Sequence, residues 1–285
     1  MDYVYYPGCT LFTKARNLDE CARKAAERVG FTLNEMPSWN CCGAIYNTTS
    51  DDLAAQVGPV RNLAKASQLG DRLVTLCAAC YNVLKRAQDM LNGHGDALVR
   101  DRLLAFVEEP LVQPVKVLHF LEVLKNDIGW DNLRSRVVRE LAGLKVACYY
   151  GCLMVRPAEV LSFDNPENPQ VMDELMGVLG AAPVRFDFKA ECCGGYLVVN
   201  RRDVARQCSD RIVENARAWG AEAIVTTCPL CQFNLERLPA ASASPLPVFY
   251  FTQLLGLAAG LSEHELGLTS NTPTATEFLR AKGLT

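Results

Sequence analysis

One arrangement of cysteines occurs twice in this chain and constrains its fold more than any other feature. Each copy has a single cysteine, then an adjacent Cys-Cys-Gly, and then a C-x-x-C motif. In both copies 34 residues separate the adjacent pair from the C-x-x-C motif. The single cysteine is separated from the adjacent pair by 31 residues in the first copy and by 39 in the second. The first copy consists of Cys9, Cys41, Cys42, Cys77 and Cys80, and the second of Cys152, Cys192, Cys193, Cys228 and Cys231. Five thiols that recur together twice predict two metal or cluster sites.

The composition is that of a folded protein with room for two domains. The chain has 285 residues, of which 49% are hydrophobic and 21% are charged, as in ordinary globular proteins. The net charge of -3 leaves no surplus of basic side chains to neutralise phosphates. We therefore expect no nucleic-acid partner.

We expect a cytoplasmic protein without a membrane span. The first residues lack the basic and apolar segments of a signal peptide. The longest apolar stretch, Leu254–Leu261, is far shorter than the roughly 20 residues that a spanning helix needs. Thiols in a reducing compartment are rarely joined as structural disulfides, and the 13 cysteines are odd in number. Free thiols that bind metal are therefore the better interpretation.

Short apolar strands alternate with amphipathic helices along both halves, which predicts βαβ units and a parallel sheet. The predicted strands are Tyr3–Tyr6, Phe31–Glu35, Leu73–Leu76 and Val115–Phe120, then Lys145–Tyr150, Pro183–Phe188, Ala223–Thr227 and Pro247–Phe251. The predicted helices are Leu18–Val29, Asp51–Leu69, Leu84–Leu91, Pro169–Leu179 and Asp203–Trp219.

The two halves are an internal duplication. The segment Leu73–Cys77 parallels Ala223–Cys228, and Val115–Phe120 parallels Pro247–Phe251. We therefore predict an α/β protein of two pseudo-symmetric repeats, each a small Rossmann-like domain with a parallel sheet and flanking helices. The predicted domains are residues 1–142 and 143–285.

The thiols follow the predicted strands. The first cysteine of each copy and the first of each C-x-x-C motif come after a strand, and each adjacent pair lies a few residues past another. Ligands of open parallel sheets gather at the carboxyl ends of the strands. Three strand ends in each half would bring five thiols together, and the two edges can face each other across the domain boundary. We expect Thr10–Lys14 and Leu153–Arg156 to line a cavity shared by both thiol sets.

Five thiols in a set restrict the kind of metal site. Structural zinc takes four ligands, a regular cubane cluster also takes four thiolates, and the ferredoxin run C-x2-C-x2-C-x3-C-P is absent. Consecutive residues on an extended backbone point to opposite sides, so we expect Cys41 and Cys42 to reach different metal atoms. Five sulfur ligands favour an iron–sulfur centre of unusual shape.

The chain resembles the cysteine-rich CCG family and, within it, the B subunit of heterodisulfide reductase. The doubled cysteine pattern and four short motifs carry the resemblance. These motifs are Tyr6-Pro7-Gly8-Cys9, Asn40-Cys41-Cys42-Gly43, Cys192-Cys193-Gly194-Gly195 and Phe251-Thr252-Gln253-Leu254-Leu255-Gly256. The resemblance implies that the five cysteines of each copy hold one noncubane [4Fe–4S] cluster. It also implies that a disulfide substrate is cleaved between the two clusters.

The implied function is that of the catalytic subunit of a heterodisulfide reductase-like complex, which reduces a disulfide or forms one. The chain has no G-x-G-x-x-G nucleotide motif after its first strand and no ferredoxin-type cysteine run. Its electrons would come from a ferredoxin-like C subunit and a flavin-containing A subunit of the same complex. The substrate is left open among coenzyme M–coenzyme B heterodisulfide, a protein disulfide and a persulfide-like carrier.

Two other functions remain open from the sequence. One is an iron–sulfur electron-transfer subunit of a lactate, glycolate or glycerol-phosphate dehydrogenase or of a quinone-linked reductase. The other is a structural zinc protein without catalysis.

Four residues outside the repeated pattern need an interpretation. His119 ends a predicted strand at the thiol edge and is a candidate catalytic proton donor to a leaving thiolate, with a hydrogen-bonded structural histidine as the alternative. Cys21 and Cys208 fall in helices and are predicted to be buried core thiols. Cys148 is predicted to be a core thiol inside a strand.

Overall fold

Two four-stranded parallel sheets form the framework of the molecule. The structure is a computed structural model that describes residues 1–44, 53–94, 96–239 and 246–285. The strands are β1 (Asp2–Tyr5), β2 (Thr32–Glu35), β3 (Arg72–Thr75), β4 (Lys116–His119), β5 (Lys145–Tyr149), β6 (Ala182–Pro183), β7 (Ala223–Thr226) and β8 (Val248–Tyr250). The order is β2-β1-β3-β4 in the first sheet and β6-β5-β7-β8 in the second. Because the two orders match, the predicted α/β fold of two pseudo-symmetric repeats is confirmed.

Helices connect the strands in both halves. Those of the first half are α1 (Gly8–Thr13), α2 (Arg16–Val29), α3 (Val57–Ser67), α4 (Ala78–Asp89), α5 (Ala97–Val107), α6 (Phe120–Glu122) and α7 (Trp130–Arg134). Those of the second are α8 (Cys152–Val155), α9 (Ala158–Leu161), α10 (Val171–Val178), α11 (Leu197–Asn200), α12 (Arg202–Ala218), α13 (Pro229–Arg237), α14 (Phe251–Ala258) and α15 (Pro273–Ala281). Short 3-10 helices at Leu53–Gln56 and Leu268–Ser270 and π-helical turns at Met90–His94 and Val123–Ile128 complete the described elements. No helix in these described ranges is long and apolar enough to cross a membrane.

The strand register places the switch point of each sheet. In the first half β1 pairs with β2 through Tyr3 and Leu33, and with β3 through Val4 and Leu73. The chain therefore passes from one side of β1 to the other between β2 and β3. A crevice opens at the carboxyl ends of two strands where the winding reverses in this way. The second half has the same reversal, from one side of β5 to the other between β6 and β7.

The helix α2 joins the two halves. Leu18, Cys21 and Ala25 recur at helical spacing and are fully buried, so they form one apolar face. The helix ends at Gly30, which has φ 97°, a left-handed conformation that glycine adopts without strain. The apolar face packs against α14 of the second half, where the Cys21 thiol donates a hydrogen bond to the Thr252 carbonyl (3.2 Å). The two repeats therefore share a core, and the boundary at residues 142 and 143 stays a prediction.

A second contact between the halves lies next to the cysteines. The helix α4 packs on α8 and α9. The amide Nδ2 of Asn82, a buried side chain, donates to the carbonyl oxygens of Leu153 (2.9 Å) and Arg156 (2.7 Å). A side chain two residues after Cys80 therefore holds the short helix α8, which begins at Cys152.

Three predicted elements differ from the structure by more than two residues at one end, and the others agree to within two residues. The helix predicted from Leu84 begins at Ala78, because extended Cys77 (φ -84°, ψ 120°) serves as its N-cap. The sixth strand ends at Pro183, and the N–H of Val184 makes the last bond to β5, at 2.8 Å from the Val146 carbonyl. In the predicted helix at 51–69, residues 51 and 52 lie outside the described residues and α3 covers 57–67. Ten described helices are additional to the prediction, namely the longer α5, α13, α14 and α15 and the shorter α1, α6, α7, α8, α9 and α11.

Candidate metal centre

The cysteines of the repeated pattern lie beyond the carboxyl ends of the strands. Cys9 lies in α1, which follows β1, and Cys77 comes between β3 and α4. These two strands flank the switch point of the first sheet. Cys152 begins α8 after β5, and Cys228 directly precedes α13 after β7. Each half therefore places its thiols where open parallel sheets bind ligands.

The first five thiols form one connected group. The Sγ atoms of Cys41 and Cys9 are 3.6 Å apart, and those of Cys42 and Cys80 are 3.4 Å apart. Cys41 also contacts Cys42, and Cys80 contacts Cys77. The two adjacent cysteines contact each other, but Cys41 also contacts Cys9, whereas Cys42 contacts Cys80.

The second five thiols repeat this arrangement. Cys152 is hydrogen-bonded to Cys192, as Cys9 is to Cys41 in the first set. The Sγ atoms of Cys193 and Cys231 are 3.5 Å apart, and Cys231 in turn contacts Cys228. Three of the four contacts of the first set thus recur in the second set, although the loops that carry the cysteines differ in length.

The two sets are in contact with each other where the halves meet. The Cys77 and Cys228 side chains are hydrogen-bonded, and both are buried. The bond from Cys228 is the largest cause that holds the pKa of Cys77 well below its usual range. The contact with Cys231 lowers the pKa of Cys228, but the bond to Cys77 and burial together outweigh it and raise this pKa to about 12.

Solvent reaches some of the thiols in each set. Cys9, Cys41 and Cys192 are exposed and Cys152 is partly exposed, whereas the remaining members of both sets are buried. Phe12 is 57% exposed, and Thr13 and Lys14 are also exposed. In the corresponding segment of the second half, Met154 and Val155 are buried and do not line an opening. The predicted shared cavity stays a prediction, and the cavity of about 870 Å³ beside β6 is lined by none of the ten cysteines.

Glycine is required before the first cysteine of each set. Gly8 has φ +75° and Gly151 has φ +71°, and a Cβ atom on Gly8 would lie 2.9 Å from the Cys80 sulfur. On Gly151 it would lie 3.3 Å from the Cys231 sulfur. The absent side chain therefore lets the loop approach the second thiol of the C-x-x-C motif.

Each C-x-x-C motif begins a helix. Cys77 and Cys228 are N-caps with extended backbone, and Cys80 and Cys231 are the third residues of α4 and α13. The unpaired N–H groups and the dipole of a helix N-terminus favour the thiolate form of a cysteine there. Thiolates are the form that binds metal. Without a metal, contacts with the other thiols of each set and burial act in the opposite direction and raise the pKa of Cys80 and Cys231 well above its usual range.

Tyr196 is a neighbour of both sets that the sequence did not single out. It follows Gly194 and Gly195, both with positive φ, and its side chain is 46% exposed. Burial raises its pKa to about 12, with further contributions from Cys77 and Cys228. The tyrosine comes from the second half but lies beside the contact between the sets, a position that no local sequence signal indicates.

His119 caps a helix and is fully buried. Its Nδ1 accepts a hydrogen bond from the Leu121 N–H (3.2 Å), and its Nε2–H donates to the Leu76 carbonyl (2.9 Å). Burial lowers its pKa to about 4. Since both nitrogens are engaged within the protein, these contacts favour the structural alternative over the predicted proton donor. The Leu76 bond nevertheless holds the peptide that precedes Cys77.

The three remaining cysteines lie outside the connected sets. Cys21 and Cys148 are fully buried, in α2 and β5 respectively. Burial raises the pKa of both thiols, to about 12 for Cys21. Cys208 is only partly buried in α12, and its pKa is raised by burial and by nearby Cys192 and Cys193. Cys208 is thus less buried than a core thiol and lies nearer the second set than the sequence indicates.

The donors present fit an iron–sulfur group. Among the described residues no three His, Cys, Asp or Glu side chains are arranged as ligands of one metal ion. Each set instead provides five thiols from three loops, and thiolates are the usual ligands of iron–sulfur clusters. Cys9, Cys41, Cys42, Cys77 and Cys80 would hold one group and Cys152, Cys192, Cys193, Cys228 and Cys231 the other.

Several known proteins are similar to this chain in sequence. The model of the CCG cysteine-rich domain matches residues 3–85 and 146–236. The chain is 33% identical to the 8-methylmenaquinol:fumarate reductase membrane anchor subunit of Wolinella succinogenes, over 97% of this chain and 99% of that one. It is 27% identical to the B subunit of the ferredoxin/F(420)H(2)-dependent CoB-CoM heterodisulfide reductase of Methanosarcina acetivorans, over 96% and 94%.

A solved structure shares the architecture. A hypothetical protein from Helicobacter pylori superposes with a TM-score of 0.74 at 11% identity, over 95% of this chain and 51% of that one. This likeness concerns the fold alone.

Proposed function

Because the chain belongs to the CCG cysteine-rich domain family, with relatives that include heterodisulfide reductase B subunits, we propose that it is the catalytic subunit of a heterodisulfide reductase-like complex. It would reduce a disulfide, or form one in reverse, between two noncubane [4Fe–4S] clusters held by the two thiol sets.

The contact between Cys77 and Cys228 carries this proposal. A disulfide has two sulfur atoms about one covalent bond apart, so its cleavage by two centres requires that they lie side by side. The two sets are neighbours across the junction of the halves, which meets this requirement. If the two thiol sets lay on opposite faces of the molecule, their clusters could transfer electrons but could not cleave one disulfide between them.

The overall reaction needs two electrons and two protons for each disulfide. The S–S bond breaks, each sulfur leaves as a thiol, and the electrons come from a reduced partner subunit. When bound, the clusters would supply these electrons one at a time. The chain's own residues would hold the clusters, keep Cys77 and Cys228 away from bulk water, and admit substrate where Cys9, Cys41 and Cys192 are exposed.

Exposed apolar side chains beside the thiols support the need for partner subunits. Phe12 follows Cys9, Leu197 and Val199 follow the second adjacent pair, and Phe233 follows Cys231, and all four are exposed. Large apolar side chains at a surface are typical of protein–protein contacts. We propose that a ferredoxin-like C subunit and a flavin-containing A subunit of a cytoplasmic complex deliver the electrons.

Turnover with a reduced dye tests the proposal. Protein purified without oxygen should oxidise reduced methyl viologen when coenzyme M–coenzyme B heterodisulfide, cystine or an oxidised protein disulfide is added, with two viologens consumed for each disulfide. Cys77→Ser and Cys228→Ser should abolish this turnover. Cys21→Ser is the matched control, because a serine there still donates to the Thr252 carbonyl.

A quinone-linked reductase subunit is the second candidate, favoured by the similarity to the Wolinella succinogenes protein. Its role would be electron transfer from a quinol rather than disulfide cleavage. Protein with intact clusters that is reduced by a menaquinol analogue in its native complex, and that turns over no disulfide, would establish this candidate and overturn the first.

A further inference from the structure

One buried tyrosine in each repeat occupies the same place among the thiols. Tyr6 lies three residues before Cys9, and Tyr149 lies three residues before Cys152, which makes Y-x-G-C in both repeats. Both side chains are fully buried. The equivalence is one of position in the fold, since each tyrosine directly follows or ends the first strand of its sheet.

The two hydroxyl groups make equivalent hydrogen bonds. The Tyr6 hydroxyl donates to the carbonyl oxygen of Asn40 at 2.7 Å, and the Tyr149 hydroxyl donates to that of Glu191, also at 2.7 Å. Asn40 directly precedes Cys41, and Glu191 directly precedes Cys192. Each hydroxyl therefore holds the peptide plane from which an adjacent cysteine pair begins.

The two rings also contact the loop of the first cysteine. A Cβ atom on Gly8 would lie 3.2 Å from the Tyr6 ring, and one on Gly151 would lie 3.5 Å from the Tyr149 ring. The same two glycines face the sulfurs of Cys80 and Cys231. One tyrosine in each repeat thus touches the loops that carry its first cysteine and its adjacent pair, next to the C-x-x-C motif.

Each phenol lies among the thiols of its own repeat. The sulfurs that act electrostatically on Tyr6 are those of Cys80, Cys42, Cys41 and Cys9, and those that act on Tyr149 are those of Cys231, Cys193, Cys152 and Cys192. The neighbours correspond one to one across the duplication. A single set of contacts has therefore been kept in both halves.

We propose that Tyr6 and Tyr149 are paired positioning residues, each of which sets the geometry of one thiol set and thereby the properties of the cluster that this set holds. The inference rests on the proposed cluster function. A buried hydroxyl bonded to the loop carbonyl restricts where the adjacent cysteines point, and small changes in ligand position and local dipoles alter the potential of an iron–sulfur centre.

Four phenylalanine variants test the proposal, because a second buried tyrosine stands beside each of the two. Tyr5 donates to Asp19 and Tyr150 to Asp173, so neither hydroxyl reaches a carbonyl next to a thiol pair. Tyr6→Phe and Tyr149→Phe should each release half of the iron to a chelator about twofold to tenfold faster, as expected for the loss of one buried hydrogen bond. Each should also shift the reduction potential and the electron paramagnetic resonance signal of one cluster. Tyr5→Phe and Tyr150→Phe should change neither measurement.

Single-cluster backgrounds assign the effect to a repeat. Cys193→Ser should leave only the first cluster intact and Cys41→Ser only the second. Tyr6→Phe should then change the signal in the Cys193→Ser background and have no effect in the Cys41→Ser background, with the opposite result for Tyr149→Phe. Unchanged potentials and iron release in Tyr6→Phe and Tyr149→Phe, or equal changes in Tyr5→Phe and Tyr150→Phe, would overturn the proposal. Absence of clusters from the unmodified protein would instead refute the proposed function.

Discussion

At the scale of the residue, two equivalent positions in the repeats carry different side chains but both cap the start of a helix. His119 ends β4 and Tyr250 ends β8. Their backbone N–H groups donate to the Glu122 carboxylate (2.7 Å) and to the Gln253 side-chain oxygen (3.0 Å). Both residues therefore begin a helix through a side chain three positions later, in the manner of a capping box. This capping bond gives His119 a structural task at the thiol edge, and its role in proton transfer stays a prediction.

Replacement of His119 separates the two roles. His119→Asn should lower the free energy of unfolding by about 1–3 kcal/mol, because a buried bond to the Leu76 carbonyl is lost. It should not change the shape of the pH profile of disulfide reduction. A lost acid limb in that profile would show that His119 is the proton donor.

The same variant should change the pH dependence of stability. The folded pKa of His119, about 4, is below the unfolded value, so the unfolded chain binds the extra proton between these values. Its stability contribution is complete above about pH 6.5 and is lost as the pH falls toward 4. Unfolding measured between pH 5 and 7 should therefore show a steeper acid loss for the unmodified protein than for His119→Asn, and equal slopes would contradict the assignment.

Glycine at position 8 is expected to be indispensable for the first cluster. Gly8→Ala places a Cβ 2.9 Å from the Cys80 sulfur at φ +75°, so the protein should lose about half of its iron. Gly220→Ala is the control, because Gly220 has φ +80° with nothing within 4 Å. This variant should lower the free energy of unfolding by only about 1–2 kcal/mol, the cost of alanine in the left-handed conformation. It should also keep all of its iron. Equal iron content in both variants would show that the close approach does not matter.

At the scale of the element, the C-x-x-C motif is the start of a helix in both repeats. The N-caps Cys77 (φ -84°, ψ 120°) and Cys228 (φ -109°, ψ 125°) have nearly the same backbone conformation. The second repeat has Pro229 at the first helical position and the first repeat has Ala78. Proline suits this position because its fixed φ is helical and its missing N–H would have no partner within the helix.

Transfer of this proline to the first repeat tests the equivalence. Ala78→Pro should leave iron content unchanged and raise the free energy of unfolding by up to about 1 kcal/mol, because it restricts the unfolded chain. Leu84→Pro, in the interior of the same helix, should cost about 3 kcal/mol or more. Thermal unfolding and iron analysis of both proteins make the comparison. A loss of iron from Ala78→Pro would mean that the two N-termini differ.

At the scale of the whole molecule, the thiol sets lie where the two halves meet. The contact between Cys77 and Cys228, the bonds from Asn82 to helix α8, and the packing of α2 on α14 all cross between the repeats. Metal bound at such a junction stabilises the folded state, because binding free energy becomes folding free energy. Cluster loss should therefore affect both halves.

Metal content and chelation test the molecule as a whole. Protein purified without oxygen should contain about eight iron and eight acid-labile sulfide, as two four-iron clusters imply. Stoichiometric zinc without sulfide would establish the structural zinc alternative. Anaerobic iron chelation should lower the melting temperature and increase proteolysis of the loops at the thiols. An apo-protein as stable as the loaded one would contradict the coupling of cluster and fold.

The sequence by itself determined the duplication, the α/β class, the approximate strands and the gathering of each thiol set, because spacing and periodicity are local signals and parallel strands end at one edge. Only the tertiary structure decided how the two sets are placed relative to each other. The contact of Cys77 with Cys228, the position of Tyr196 beside both sets and the engagement of both His119 nitrogens depend on residues far apart in the chain. Such contacts follow from the packing of whole helices against each other, which leaves no periodic trace in the sequence.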